Sequence, residues 1–134
     1  MAYLLDTNII IAAMKGVPGV IGRLEKIPLS ALILSPIVLG ELEFGAEKSA
    51  HVEKNRARLA SLIENIPTAP LDAGTSRHYG LIRADLEKKG TPIGANDLWI
   101  AAQALALGAV LVTDNVGEFS RVVGLEVENW VRER

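Results

Sequence analysis

The residues of this sequence best suited to chemistry are acids set beside apolar segments. Asp6 interrupts the apolar runs of LLDTNIII, Asp97 opens DLWIAAQALAL, and Asp114, with Asn115 beside it, follows AVLVT. Glu41 stands in PIVLGELEFGAEKS, with Glu43 and Glu47 close by. Singly, each has an ordinary reading. Asp6 or Thr7 can cap the next helix, Asp97 suits a helix's first turn where the macrodipole favours a carboxylate, Glu41 can be a solvated helix acid, and Asp114 a turn residue. Jointly they ask for more. Two carboxylates about 4 Å apart repel by roughly 4 kcal/mol at an effective dielectric of about 20, so gathering several requires a proton or a cation. There is no cysteine, and the two histidines, His51 and His78, fall in other segments. An oxygen-only donor set favours Mg²⁺ or Mn²⁺ over zinc. Such a cation suits phosphoryl chemistry, because it polarises phosphate and activates bound water.

The elements that must position these acids follow from the apolar pattern. Tyr3–Leu5 reads as a buried strand and Thr7–Met14 as a helix ended by Gly16 and Pro18. Val20–Ile27 reads as a second helix. Leu32–Leu34 is a strand, followed by Ser35 as N-cap and Pro36 in the first turn of a helix that carries Glu41. His51–Ile66 and Ala73–Lys89 are further helices, with a weak strand at Pro67–Leu71 between them. Leu98–Leu107 is a nearly all-apolar helix, Ala109–Val112 a strand, Val116–Val122 a short helix and Leu125–Trp130 a last edge strand. Helices alternating with short apolar strands predict one α/β domain over residues 1–134, with a short, mostly parallel sheet covered by helices on both faces. In such sheets ligands collect beyond the carboxyl ends of the strands. Asp6 and Asp114 are predicted to emerge there, with Asp97 and Glu41 in reach.

These segments resemble the PIN domain, and more narrowly the VapC-type ribonuclease toxins of bacterial toxin–antitoxin pairs. LLDTNIII is similar to that family's opening strand and first acidic motif, and ELEFGAEKS to its Glu-Leu-x-aromatic-Gly-Ala segment, which selects Glu41 over Glu43 and Glu47. From Ile82 to Trp130 the sequence resembles the family's C-terminal signature almost without a gap. The resemblance implies Asp6, Glu41 and Asp97 as the acidic core, with the family's fourth position at Asn115, where many PIN domains have Asp. Here the acid comes one residue earlier, so Asp114 or Asn115 could complete the metal ligands beside Asp6 and Asp97. Thr7, Asn8 and Thr113 are supports for the carboxylates, Glu118 a source of further charge, and Asn96 a helix cap. The resemblance also implies an Mg²⁺- or Mn²⁺-dependent endoribonuclease acting on structured RNA, tRNA above all. It further implies a homodimer and a VapB-type antitoxin whose C-terminal tail covers the acidic site.

Composition constrains the partners. Apolar residues make up 49% and charged residues 22%, which fits a packed globule rather than a disordered chain. With a net charge of −2 there is no global attraction to RNA, so local cations must supply it. Lys48, Lys54, Arg56 and Arg58 form one basic stretch, and Arg83, Lys88 and Lys89 another. Arg83, Lys48 and Arg56 are the candidates for RNA contact, against their reading as solvated helix faces. The N-terminus lacks a basic leader, and the uncharged run Leu98–Thr113 is too short for a membrane span. A cytoplasmic protein is expected. A haloacid-dehalogenase-type phosphatase would carry Asp where Asn8 stands, and a dinucleotide-binding fold would need a glycine-rich loop after its first strand. The rival from another class is a PIN-like module that binds RNA or protein without cleaving.

Overall fold

The computed structural model describes residues 1–132, so the last two positions of the predicted 1–134 domain lie outside it. The elements run β1 (Tyr3–Leu5), α1 (Thr7–Met14), α2 (Pro18–Lys26), β2 (Leu32–Ile33), α3 (Pro36–Glu47), α4 (Val52–Ile63), α5 (Ala73–Lys88), α6 (Ala95–Leu107), β3 (Val110–Val112), α7 (Val116–Phe119) and β4 (Val127–Glu128). The strands form one sheet in the order β2-β1-β3-β4, and every pairing is parallel. Successive residues of a strand point to opposite faces. Leu4 and Leu5 are both buried, as are Val110, Leu111 and Val112, so both faces of the sheet are covered. None of the described helices is long and apolar enough to cross a membrane.

Local chemistry explains most boundaries. α1 starts at Thr7 because the Asp6 carboxylate accepts its backbone N–H. Ser35 caps α3 through Ile37 N–H, with Pro36 in the first position, where its missing N–H costs nothing. The same preference for proline starts α2 at Pro18, two residues before the expected Val20. Gly108 ends α6 in the left-handed conformation, at φ +63°, where a residue with Cβ would be strained.

Four expectations are corrected. Pro67–Leu71 makes only a single parallel bridge, Thr68 to Leu34, the residue after β2; Pro67 and Pro70 lack the N–H a ladder needs. α6 begins at Ala95, three residues before Leu98. The short helix after β3 stops at Phe119 rather than Val122, and the edge strand shrinks to Val127–Glu128. After Glu128 the chain turns so that Trp130 becomes fully buried. Its indole packs 5.5 Å from the Tyr3 ring and donates through Nε1 to Glu128 at 2.9 Å.

Candidate active site

The parallel register sets the first contact. Leu5 lies opposite Val112, so Asp6 and Thr113 leave the carboxyl edge of the sheet side by side, and Asp6 N–H donates to Val112 C=O at 2.9 Å. Asp6 is buried. Its Oδ1 accepts Thr7 N–H at 2.8 Å; its Oδ2 accepts the Thr113 hydroxyl at 2.7 Å and the Asn8 amide at 3.3 Å. Burial pushes the Asp6 carboxyl above its ordinary value despite these donors, and the neighbouring Glu41 charge adds to the rise. Asp6 therefore caps α1 and stands in an acidic cluster at once.

Glu41 reaches this rim from α3. Its Oε1 accepts the Thr7 hydroxyl at 2.5 Å, and its Oε2 accepts the Asn96 amide at 3.4 Å. Asn96 is thus not the cap of α6, a position held by Gly94. It sits in the first helical turn and reaches across to α3. Its adjacency to Asp97 was the available signal for a site role, and the cap reading obscured it.

Asp97 occupies the same turn of α6. Its carboxyl is pushed up to about 7, first by burial, then by the bond it shares with Glu118 and by the charges of Glu118, Asp6 and Glu41. Glu118 moves the other way. Burial opposes its ionisation, but Gly94 N–H at 3.0 Å, the Asn115 amide at 2.8 Å and the Asp97 carboxyl outweigh that and hold it below its ordinary value. The proton between the two therefore resides on Asp97, which donates to Glu118.

The fourth position divides. Asn115 holds Glu118 through its amide, while its backbone N–H donates to the Thr113 hydroxyl at 3.0 Å. Asp114 is drawn toward the C-terminal segment, where Oδ1 accepts Asn129 Nδ2 at 3.0 Å and Arg132 Nε at 2.9 Å. The expected supports Thr7, Asn8 and Thr113 all touch the acidic residues or their loop; Asn8 also accepts Asp114 N–H at 2.9 Å. The basic candidates are not brought to the carboxylates. Lys48 lies over the Phe44 ring, Arg56 stands 3.6 Å from Glu47, and Arg83 donates to Glu87 and to the Tyr79 hydroxyl. Arg83 lines a cavity of about 270 Å³ together with Ala95 and Leu98 of the first turn of α6.

Whether these residues suit a divalent cation rests on their chemistry. As the side chains stand, no group of three or more His, Cys, Asp or Glu among the described residues could hold a metal ion. The donors are nonetheless all oxygens, and Asp97 keeps a proton to about 7, first because it is buried and then because like charges surround it. A divalent cation relieves the same repulsion. The set fits a hard cation, with the Asp97 proton as the one that must leave.

Four carboxylates raised from β1, α3, α6 and α7 to the carboxyl edge of a parallel sheet define a class of acidic-site α/β proteins. The PIN domain model matches residues 3–125. The chain belongs to the PIN domain family, and within it to the VapC-type ribonucleases. It is 40% identical over 134 residues to ribonuclease VapC1 of Haemophilus influenzae, covering 98% of this chain and all of the relative. It is 37% identical over 130 residues to the tRNA(fMet)-specific endonuclease VapC of Shigella flexneri, covering 97% and 98%. Its fold matches a chain of VapBC2 from Rickettsia felis, bound to a DNA fragment from their promoter. There the TM-score is 0.91 and the identity 38%, over 97% of this chain and 99% of that one.

Proposed function

We propose that this chain is a metal-dependent endoribonuclease and the toxin of a type II toxin–antitoxin pair. The observation that carries the reading is the convergence of Asp6, Glu41, Asp97 and Glu118 on one rim, with Asp97 protonated until about neutral pH. Mg²⁺ or Mn²⁺ would be held by Asp6 and Asp97, with Glu118 beside them, and would supply charge neutralisation at the scissile phosphate. Glu41, oriented by Thr7 and Asn96, takes a proton from the attacking water. Thr113 and Asn8 keep the Asp6 carboxylate pointed at the rim. Asn115 keeps Glu118 turned toward Asp97. Attack at phosphorus breaks the bond to the 3′ oxygen, which leaves with a proton, so the products carry a 5′-phosphate and a 3′-hydroxyl.

Structured RNA, tRNA in particular, is the proposed substrate, supported by the tRNA-specific relative. A VapB-type antitoxin is the proposed partner, supported by the likeness to VapBC2. The groove of about 290 Å³ formed by Ile11, Met14, Leu42 and Leu59 has Glu41 on its wall, as a partner segment covering the acids would need. A homodimer in the cytoplasm completes the proposal.

The test is cleavage of total RNA with Mn²⁺, Mg²⁺ or EDTA, beside Asp6→Asn and Asp97→Asn. Cleavage is expected only with a divalent cation, and each substitution is expected to lower it by roughly 10²-fold or more. Cleavage that survives both substitutions overturns the site. The second reading, a PIN-like module that binds without cleaving, is favoured by the amide at Asn115 and by the absence of a ready ligand cluster among the described residues. Metal and RNA binding without any cleavage would select it.

A further inference from the structure

We infer that Asp114 is a positioning residue: it fastens the loop after β3 to the C-terminal segment and so holds Asn115 and Glu118 against Asp97. The inference rests on the ribonuclease reading for its effect on turnover, but the contact itself is independent of it.

α7 is only four residues long. So short a helix has almost no stability of its own, and the direction in which it aims Glu118 depends on what grips its ends. The residues leading into it, Thr113 to Asn115, are gripped on one side by the site. Asp114 N–H donates to Asn8, and Asn115 N–H to Thr113. The second grip is the Asp114 carboxylate, bound to Asn129 and Arg132. That anchor is firm. Asn129 Oδ1 accepts Val131 N–H at 2.9 Å, closing the turn on itself, and the adjacent Trp130 is fully buried. On its other side the segment abuts α2, where a Cβ on Gly19 would come within 2.5 Å of Trp130 C=O. Asp114 thus adds a side-chain tie from a fixed point of the core to a loop that is also held by Thr113 N–H, which donates to Glu128 C=O at 2.9 Å, and by the buried Phe119 of α7. Asn129 is the principal partner; the Arg132 side chain is 77% exposed, and an ion pair in solvent contributes little.

A positioning role and a ligand role for Asp114 differ in what the conservative change does. In Asp114→Asn an amide oxygen can still accept from Asn129, whereas Asp114→Ala removes the tie, as Asn129→Ala does from the other end. Steady-state cleavage is measured for all three and for the double Ala variant. Each Ala variant is expected to lower kcat about 10-fold with KM changed less than ~2-fold, the double variant no further, and Asp114→Asn to stay within about 3-fold of the parent. Asp114→Asn as inactive as Asp114→Ala, with Asn129→Ala unaffected, overturns the inference in favour of a ligand. Parent-like Ala variants also overturn it. NMR of the Asn115 side-chain amide in the metal-free protein reads the tie without turnover. Its bond to Glu118 should be lost in both Ala variants and kept in Asp114→Asn, and its retention throughout overturns the inference. A parent that cleaves no RNA with Mn²⁺ overturns the ribonuclease reading alone and leaves the NMR outcome to decide this one.

Discussion

Asp97 holds a proton to about 7, against 3.8 for an unperturbed aspartic acid, and this makes the stability of the metal-free protein depend on pH. A carboxyl whose folded value is raised stabilises the fold fully below its unfolded value, and the benefit is lost as pH rises through the folded value. Asp6 is shifted in the same direction. Glu118 is shifted downward, so its contribution is present above 4.5 and is lost only as pH falls below that. Between about pH 5 and 7 the signs therefore agree. In EDTA the melting temperature should be higher at pH 6 than at pH 8, and Mn²⁺ should reverse that order by taking the place of the proton. An equal or higher melting temperature at pH 8 in EDTA would contradict the protonated Asp97–Glu118 pair. The acids of this pair were readable as candidates from their types, but their pairing was not. Asp97 and Glu118 are 21 positions apart, and nothing in the spacing brings Glu118 closer to Asp97 than Asp114.

Among the elements, the C-terminal segment has the most consequence for its size. β4 is two residues long, yet the chain beyond it fills the core with Trp130 and holds Asp114 through Asn129. Gly19 on α2 is what lets it lie there. Gly19→Ala would force a Cβ to within 2.5 Å of a backbone oxygen, a clash that neither side can relieve by rotating a side chain. It should lower stability by about 1–3 kcal/mol, measured by urea unfolding; if the hold on Asp114 matters, cleavage should fall as well. The start of α6 illustrates why boundaries were harder to read than elements. Its apolar periodicity begins at Leu98, with Asn96 reading as a cap and Asp97 as an acid of the first turn. The helix begins earlier, at Ala95, after a glycine whose own N–H is taken by Glu118. That bond spans 24 residues and leaves no local trace in the sequence.

For the whole molecule, charge constrains how RNA can be bound. The net charge is −2 and the rim at the carboxyl edge of the sheet is acidic, while Arg56 and Arg83 already pair with Glu47 and Glu87. Few phosphates can then be neutralised at once. Raising KCl from about 50 to about 200 mM should weaken RNA binding by roughly 10-fold or less, well short of the 10³–10⁵ expected for six to ten phosphate contacts. A filter-binding series in Ca²⁺, which supports binding with less turnover, would measure it; a steep slope would point to a basic surface assembled by a second copy of the chain.

The sequence by itself determined the class of fold, the order of the elements and three of the acids at the rim. Those features are written locally, in apolar runs short enough for strands, in Ser35-Pro36 before α3, and in Asp6 where a strand meets a helix. Tertiary structure alone decided how the acids are used. It set Glu118 rather than Asp114 beside Asp97, gave Asn96 to Glu41, and turned Asp114 to the C-terminal segment. Each of these contacts joins residues from different elements. Their partners are chosen by the register of a parallel sheet and the packing of helices on it, which periodicity along one segment cannot encode.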